Sequence, residues 1–428
     1  MAQEEVPARK RVVILGAGTA GVSLALGLKN KRGIEVTLVD QKNYHTVIPL
    51  IYQVVTGSVT PANISFPVRK LLRQRSEANA VRFRQEVVQG VDANKRTVIT
   101  DQGTIEWDYL VVAMGAVSNF FGMSDVEEVA LTFRSLTDAV NLHNHILESF
   151  EAASSTEDEL RRRELLTFAI VGGGPSGVEL SAHIREFIDR ALARDYRGLA
   201  PLARVILIEA QDNVLGGMKP AARELARSRL RARGIEFMLN TRIARAAPGS
   251  IETADGRTIP TRNLIWCSGV KPAPAVQALP FPKAKDGRIL VDEHLQVQGL
   301  TGVYAMGDCA YLEQQKGLGP YPPTFQVAFR QGRTCAGNIL NAMKGRPRHA
   351  YRHSFLGQIF YVDRNTAVAQ LFGQVFDGFL AGMMRRGLFV SMLIAYGGPL
   401  TGLKSKLSAA LDWTFAYFYV RNISAMRE

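Results

Sequence analysis

The apolar positions of this chain run twice through the same order: a short β-branched run, a glycine-rich turn, a helical period, and a second apolar run closing on an acid. The first copy reads Val12-Val13-Ile14-Leu15, then Gly16-Ala17-Gly18-Thr19-Ala20-Gly21, then Val36-Thr37-Leu38-Val39-Asp40. The second reads Phe168-Ala169-Ile170-Val171, then Gly172-Gly173-Gly174-Pro175-Ser176-Gly177, then Arg204-Val205-Ile206-Leu207-Ile208-Glu209. Each is followed by a buried-strand pattern that reaches a glycine, Tyr109 to Ala113 and Gly115 in one case and Leu264 to Gly269 in the other. The charged stretch from Glu151 to Glu164 predicts a helical connection between the copies. Thr301 to Met306 then reads as a returning strand that ends in Gly307-Asp308. After Pro322-Pro323 the spacing predicts a helix with Thr324 as N-cap and apolar positions at Phe325, Ala328, Phe329, Ala336, Ile339, Leu340 and Met343.

This is an internal duplication of a nucleotide-binding unit. In such a turn the first glycine bends the chain off the strand, the second lets backbone approach a pyrophosphate, and the third lets helix and strand pack closely. The helix N-terminus adds free N–H groups and partial positive charge for the phosphates. Asp40, 19 residues after Gly21, is placed to accept a hydrogen bond from a ribose hydroxyl. Glu209 lies 32 residues after Gly177 because Arg190 to Ala203 lengthens the helix and loop. A carboxylate there binds a ribose 2′-hydroxyl and repels a 2′-phosphate, which favours NADH over NADPH; its bland alternative is an acid that merely caps a strand end. Two dinucleotide sites imply a flavin dinucleotide, FAD, and a nicotinamide cofactor, and therefore hydride transfer. The expected fold class is α/β, with two Rossmann-like dinucleotide-binding domains and a C-terminal amphipathic membrane-associating segment.

Composition sharpens the picture in three places. With 428 residues, 46% of them hydrophobic and 21% charged, the chain has material for about two or three domains with cores. Cys267, Cys309 and Cys335 form no CxxC pair and no metal-ligand spacing, so dithiol chemistry and a structural metal are set aside. A net charge of +13 suits an anionic surface, phospholipid or nucleic acid; no recognition helix, RNA motif or basic run accompanies it, which disfavours nucleic acid. The polar opening lacks the apolar core of a signal peptide, and no stretch reaches the roughly 18 apolar residues of a spanning helix, so the body is expected to be soluble on the cytosolic side.

From Phe379 to Glu428 eight of 50 residues are aromatic, 16% against 8% for the chain, and six basic residues face two acids. Leu388 to Tyr396 and Leu407 to Val420 are too short to span a bilayer and are separated by Gly397-Gly398-Pro399. That pattern, with Trp413, suits a helix pair lying in a membrane interface; the alternative is packing on the protein body or on a homodimer partner.

Asn43-Tyr44-His45, Pro49 to Gly57, Val171 to Glu179, Val303 to Ala310, Pro322 to Gly332 and Val362 to Gln370 together resemble the type II NADH:quinone oxidoreductases, over nearly the whole chain. The resemblance implies that NADH delivers hydride to FAD and that reduced FAD passes two electrons and two protons to a membrane quinone, without a metal and without proton pumping. It puts FAD on the N-terminal unit, at Gly16, Ala17, Gly18, Thr19, Ala20, Gly21, Asp40, Gln41, Val88, Ala113, Gly115, Asp308, Phe325 and Gln326. NADH falls to Gly172, Gly174, Pro175, Ser176, Gly177, Glu209 and Gly269. Asp308 matches the family's aspartate on the flavin ribitol, and the helix opening at Thr324 offers its N-terminus to the negative charge of reduced flavin.

Glu179 resembles the family's glutamate near the flavin, proposed to supply protons to the quinone; the residue is also read as a favourable charge on the first helical turn. Gln326, Arg330, Arg385 and Arg386 are implied at the quinone. The family's AQxAxQ motif is altered here: Phe325 replaces its alanine, Arg330 its second glutamine, and Gln331 is turned away by about 100°. Arg330 either donates to a quinone carbonyl or marks a different acceptor.

The expected domains are 1–130 with 290–350 for FAD, 131–289 for NADH, and 351–428 for membrane anchoring or dimerisation. The expected location is the cytoplasmic face of a bacterial inner membrane, as a peripheral protein. Rival readings are a sulfide:quinone-type reductase, which needs a cysteine pair beside the flavin, a reductase of a soluble iron–sulfur protein, and an NADH-binding protein whose redox state regulates a partner.

Overall fold

The computed structural model describes residues 9–73, 81–353, 355, 357–363, 366–395, 407–408 and 411. The two repeats become two five-stranded parallel sheets with the same internal order. In the first, Lys10–Leu15 lies between Ile34–Asp40 and Tyr109–Val112, with Val81–Gln85 and Val303–Ala305 at the edges. In the second, Thr167–Val171 lies between Arg204–Ile208 and Asn263–Trp266, with Ile235–Met238 and Leu131–Thr132 outside. Strands such as Val12 to Leu15 and Phe168 to Ile170 are apolar on every residue because both faces are covered, so no alternation survives in them.

Each glycine turn is followed at once by a helix, Thr19–Leu28 in the first unit and Pro175–Phe187 in the second. Parallel neighbours need such a crossover, and the ends of the strands that feed the helices are thereby left open for a ligand. The second helix continues as a π-helical turn over Ile188–Leu192 and a short helix over Ala193–Asp195, the extension expected between Gly177 and Glu209. The connection before the second unit is a pair of helices, Leu136–Ser155 and Glu159–Leu166. They are separated at Asp158, whose carboxylate accepts from the N–H groups of Leu160 and Arg161.

Two small antiparallel sheets, Val88–Glu106 and Ile243–Thr261, interrupt the units at equivalent places. The chain crosses between units as a ribbon in which Ala116–Ser118 pairs antiparallel with Val270–Pro272. The helix Phe325–Met343 lies directly on Thr19–Leu28: a Cβ at Gly332 would stand 2.5 Å from the Ala20 carbonyl oxygen, so glycine there sets how closely the helices approach.

Beyond Tyr351 the strands Gly357–Asp363, Thr366–Leu371 and Gln374–Asp377 form a three-stranded antiparallel sheet that packs on Pro175–Phe187 and Pro220–Ala232, and a helix, Gly378–Ala395, follows. The helix expected from Leu388 thus begins at Gly378. Gly397-Gly398-Pro399 and most of Leu407 to Val420, Trp413 included, lie outside the described residues. Among the described residues no helix is long and apolar enough to cross a membrane.

Candidate active site

The two glycine turns have the same construction. At Gly16 (φ +103°) a Cβ would meet the Ala113 carbonyl oxygen at 2.4 Å, and at Gly21 the Gly16 carbonyl oxygen at 1.8 Å. At Gly172 (φ +114°) it would meet the backbone of Cys267 and Ser268 at 3.0 Å, and at Gly177 the Gly172 carbonyl oxygen at 1.9 Å. The middle glycines, Gly18 and Gly174, have nothing within 4 Å in that direction. The first and last glycines of each turn therefore serve backbone packing, and the middle one faces open space. Gly18 and Gly174 are also the N-caps, without a side-chain cap, so Thr19, Ala20, Pro175 and Ser176 open helices whose first N–H groups are claimed by no capping side chain.

The acids repeat as well. Asp40 accepts from the Ala17 N–H at 2.6 Å and the Lys42 N–H at 2.7 Å. Glu209 accepts from the Gly173 N–H at 2.5 Å and the Gln211 N–H at 2.9 Å. Both carboxylates tie the turn to the end of the neighbouring strand, so capping and ribose recognition are compatible uses of one group. Burial pushes the Asp40 carboxyl above its usual range, against the pull of those two donors. His45 Nδ1, held neutral because burial lowers the ring to about 4, donates to the Ala17 carbonyl at 3.0 Å and fixes the first turn from its other side.

Asp308 sits in a turn closed by Gly307, whose N–H donates to Gln331 Oε1 at 2.7 Å, and Arg134 reaches its carboxylate at 3.4 Å. Burial raises the Asp308 carboxyl, and Arg134 and Arg288 oppose the shift. Gln331 is thereby buried against the first unit, while Gln326 and Arg330 stay half-buried on the outer side of the same helix. Thr324 caps that helix through the Val327 N–H, as expected. Phe325 is half-buried and stacks on Phe329 at 6.1 Å; Gln41 accepts from Gln85 through its carbonyl, and Val88 starts the small sheet of the first unit.

Glu179 is the fifth residue of Pro175–Phe187, and no acid stands in that helix's first turn, so the reading of it as a first-turn charge is corrected. Its side chain is 17% exposed. Arg385 Nε lies 3.4 Å from Glu179 Oε1, and the Tyr361 N–H donates to the same oxygen at 3.0 Å. Arg385 donates to Tyr52 Oη at 2.5 Å and its guanidinium stands over the rings of Tyr52 and Tyr361, at 5.2 and 4.7 Å. His183 is stacked between those rings, 4.3 Å from Tyr52 and 3.7 Å from Tyr361. Burial pushes the Glu179 carboxyl up to about 7, with Arg385 pulling it down.

The structure therefore brings Glu179 and Arg385 together and leaves Arg386 apart, exposed on the helix surface. Tyr52, His183, Tyr361 and Glu186, which takes the Tyr361 hydroxyl hydrogen bond, were not singled out from the sequence. A signal was present: Glu179, His183 and Glu186 recur at i, i+4 and i+7 and so share one face of the helix. Among the described residues no group of three or more metal-ligating side chains is assembled.

The model of the family described as "Pyridine nucleotide-disulphide oxidoreductase" matches residues 10–332. Two proteins of Mycobacterium tuberculosis are similar over nearly the full length. Type II NADH:quinone oxidoreductase NdhA is 30% identical, over 96% of this chain and 88% of its own. Type II NADH:quinone oxidoreductase Ndh is 29% identical, over 97% and 89%. A solved structure, NDH2 from Plasmodium falciparum in complex with NADH, shares the fold with a TM-score of 0.89 at 19% identity, over 97% of this chain and all of that one.

Proposed function

Because the chain belongs to the pyridine nucleotide-disulphide oxidoreductases and, within them, to the type II NADH:quinone oxidoreductases, we propose that its two glycine turns divide FAD and NADH between them and that the Glu179–Arg385 pair serves the quinone. The reaction is NADH-driven reduction of a quinone to quinol, with FAD and NADH as cofactors. The observation that carries the division is the repetition itself: two turns with one geometry, each tied to its own acid.

FAD, when bound, supplies a two-electron carrier between hydride donor and quinone. The residues have three tasks. Gly16 to Gly21 with Asp40 and Asp308 hold the flavin dinucleotide, and Gln41, Val88, Ala113, Gly115 and Phe325 line its course. Gly172 to Gly177, Glu209 and Gly269 hold the nicotinamide dinucleotide. The third task is a proton. NADH gives one hydride, quinol carries two hydrogens, and the second must come from solvent through a protein group. A carboxyl that titrates near 7 holds that proton at neutral pH and can release it, and Glu179 is such a group. Arg385, with Gln326 and Arg330, faces the quinone side, and Arg330 takes the place of the second glutamine as donor to a carbonyl.

Glu209→Gln should narrow the preference for NADH over NADPH by about tenfold, chiefly through KM, because the charge that repels a 2′-phosphate is lost while an acceptor oxygen remains for the Gly173 N–H. Steady-state kinetics with both donors checks this. NADPH as the better donor of the unmodified protein would remove Glu209 from this role.

The quinone is drawn from a membrane, and the C-terminal region is the proposed contact with an anionic bilayer, on the cytoplasmic face of a bacterial inner membrane. Phe379, Leu380 and Met383 are 61%, 56% and 53% exposed, at spacings that share a helix face, with Arg386 exposed nearby. Replacing those three apolar residues by serine should leave FAD content and NADH oxidation by a water-soluble acceptor intact, and weaken cosedimentation with anionic liposomes by roughly tenfold or more. Unchanged sedimentation would place the membrane contact elsewhere, and a loss of concentration-dependent dimer mass in the same variant would give the surface to a second copy.

A further inference from the structure

Two consecutive phenylalanines follow the crossing ribbon, and they behave oppositely. Phe120 is buried against Trp266, with ring centroids 5.5 Å apart. Phe121 is 61% exposed and holds a left-handed backbone, φ +53°, directly before Gly122 at φ +84°. A turn that only had to reverse the chain would use glycine or asparagine there, since a bulky side chain disfavours that region. Phe121 thus carries two unfavourable features at once, strain and an exposed ring.

The turn is nevertheless firmly tied to the second unit. Asn119 Oδ1 accepts from the Phe121 N–H at 2.9 Å, and the Asn119 carbonyl accepts from Trp266 Nε1 at 2.9 Å. The ring tip lies on Gly269: a Cβ built there would stand 2.5 Å from Phe121 Cζ. Gly269 follows the carboxyl end of Asn263–Trp266, and the next backbone, Cys267 and Ser268, abuts the glycine turn at Gly172. The ring and the phosphate-cradling turn therefore flank one strand end, the position where parallel α/β sheets bind their ligands. Residues held in sparsely populated backbone regions concentrate at such ligand clamps.

We infer that Phe121 is a positioning residue for the nicotinamide dinucleotide, its ring being the wall against which a planar heteroaromatic ring of that nucleotide is held over Gly269. The inference rests on the reading that the second unit takes NADH. An aromatic face offers such a ring a stacking surface without a hydrogen-bonding requirement.

The test uses full-length, FAD-loaded protein and the redox-inert tetrahydro analogue of NADH, with affinity read by titration calorimetry and folding by FAD content and Tm. Phe121→Gly removes the backbone strain, so its Tm should equal or exceed that of the unmodified protein, while its Kd for the analogue rises about tenfold, the order expected for one lost stacking contact. Phe121→Tyr should restore affinity, and KM for NADH should follow Kd while kcat holds. Unaltered affinity in Phe121→Gly, or a Tyr variant as weak as the Gly variant, would overturn the inference and leave the NADH site standing. Failure of the unmodified protein to bind the analogue would instead overturn the reading beneath it. Should Phe121→Gly lose FAD, Phe121→Leu, which keeps bulk against Gly269 without a π face, carries the same comparison.

Discussion

Gly21→Ala should purify without flavin colour, whereas Gly177→Ala should purify yellow and resist bleaching by NADH. The added Cβ would stand 1.8 Å from the Gly16 carbonyl oxygen in one turn and 1.9 Å from the Gly172 carbonyl oxygen in the other. Both obstacles are backbone, with no flexible side chain to swing aside, so the turn itself must open and its N–H groups must leave the phosphate. The same lesion thus falls on FAD in one variant and on NADH in the other. The measurements are flavin absorbance per protein and anaerobic stopped-flow reduction. Gly177→Ala should lose roughly a hundredfold or more in its rate of reduction by NADH, the loss that about 1 Å of misplacement brings. Dithionite should still reduce it, and quinone reoxidise it, at ordinary rates. Loss of FAD from both variants, or normal NADH reduction in both, would remove the division of cofactors between the turns.

Glu179→Gln carries the second large effect, on the quinone half-reaction. Glutamine keeps the shape and an acceptor for the Tyr361 N–H but has no proton to give, so reoxidation by quinone should slow by roughly a hundredfold, the lower range for loss of a general acid. NADH reduction of the flavin should change little. The unmodified protein's quinone rate should fall as pH rises through about 7, the carboxyl's raised pKa, and that dependence should flatten in the variant. Arg385→Met should move the midpoint upward, since Arg385 is the group that draws the carboxyl down.

Stability supplies an independent reading with a definite sign. A carboxyl raised in the folded state from 4.5 to about 7 contributes stability that is full below about 4.5 and is lost as pH rises through about 7. Glu179→Gln should therefore gain Tm relative to the unmodified protein at pH 8 compared with pH 5. An equal difference at both pH values, with an unaltered quinone rate, would assign Glu179 a purely structural place.

What was legible in the sequence was whatever depends on short-range pattern. Both strand–turn–helix units, the acids at Asp40 and Glu209 and the Thr324 cap follow from residues a few positions apart, and the turn geometry shows why glycine is required at Gly16, Gly21, Gly172 and Gly177. Helical period alone sets Gln331 about 100° from Arg330, but that Gln331 is the buried one of the two emerges only in the structure. What was not legible depends on distant pairing. The sheet that begins with Gly357–Asp363 has polar and apolar residues mixed because one face meets Pro175–Phe187, a partner nearly two hundred positions away along the chain. Arg385 looked like one of two equivalent arginines at the quinone; helical rotation buries it on Glu179 and leaves Arg386 in solvent. Tyr52 and Tyr361 gave no local sign of a role, since each is placed only when three separate elements converge on the same guanidinium.

The most direct test of the central claim is a double-mixing stopped-flow experiment on the purified, lipid-supplemented protein, following flavin absorbance without oxygen. Mixing with NADH should bleach the flavin, faster than NADPH does, and a second mixing with a membrane quinone should restore the oxidised spectrum within the turnover time, with one quinol formed per NADH consumed. Bleaching that no quinone reverses, while a soluble iron–sulfur protein or another acceptor does, would contradict it.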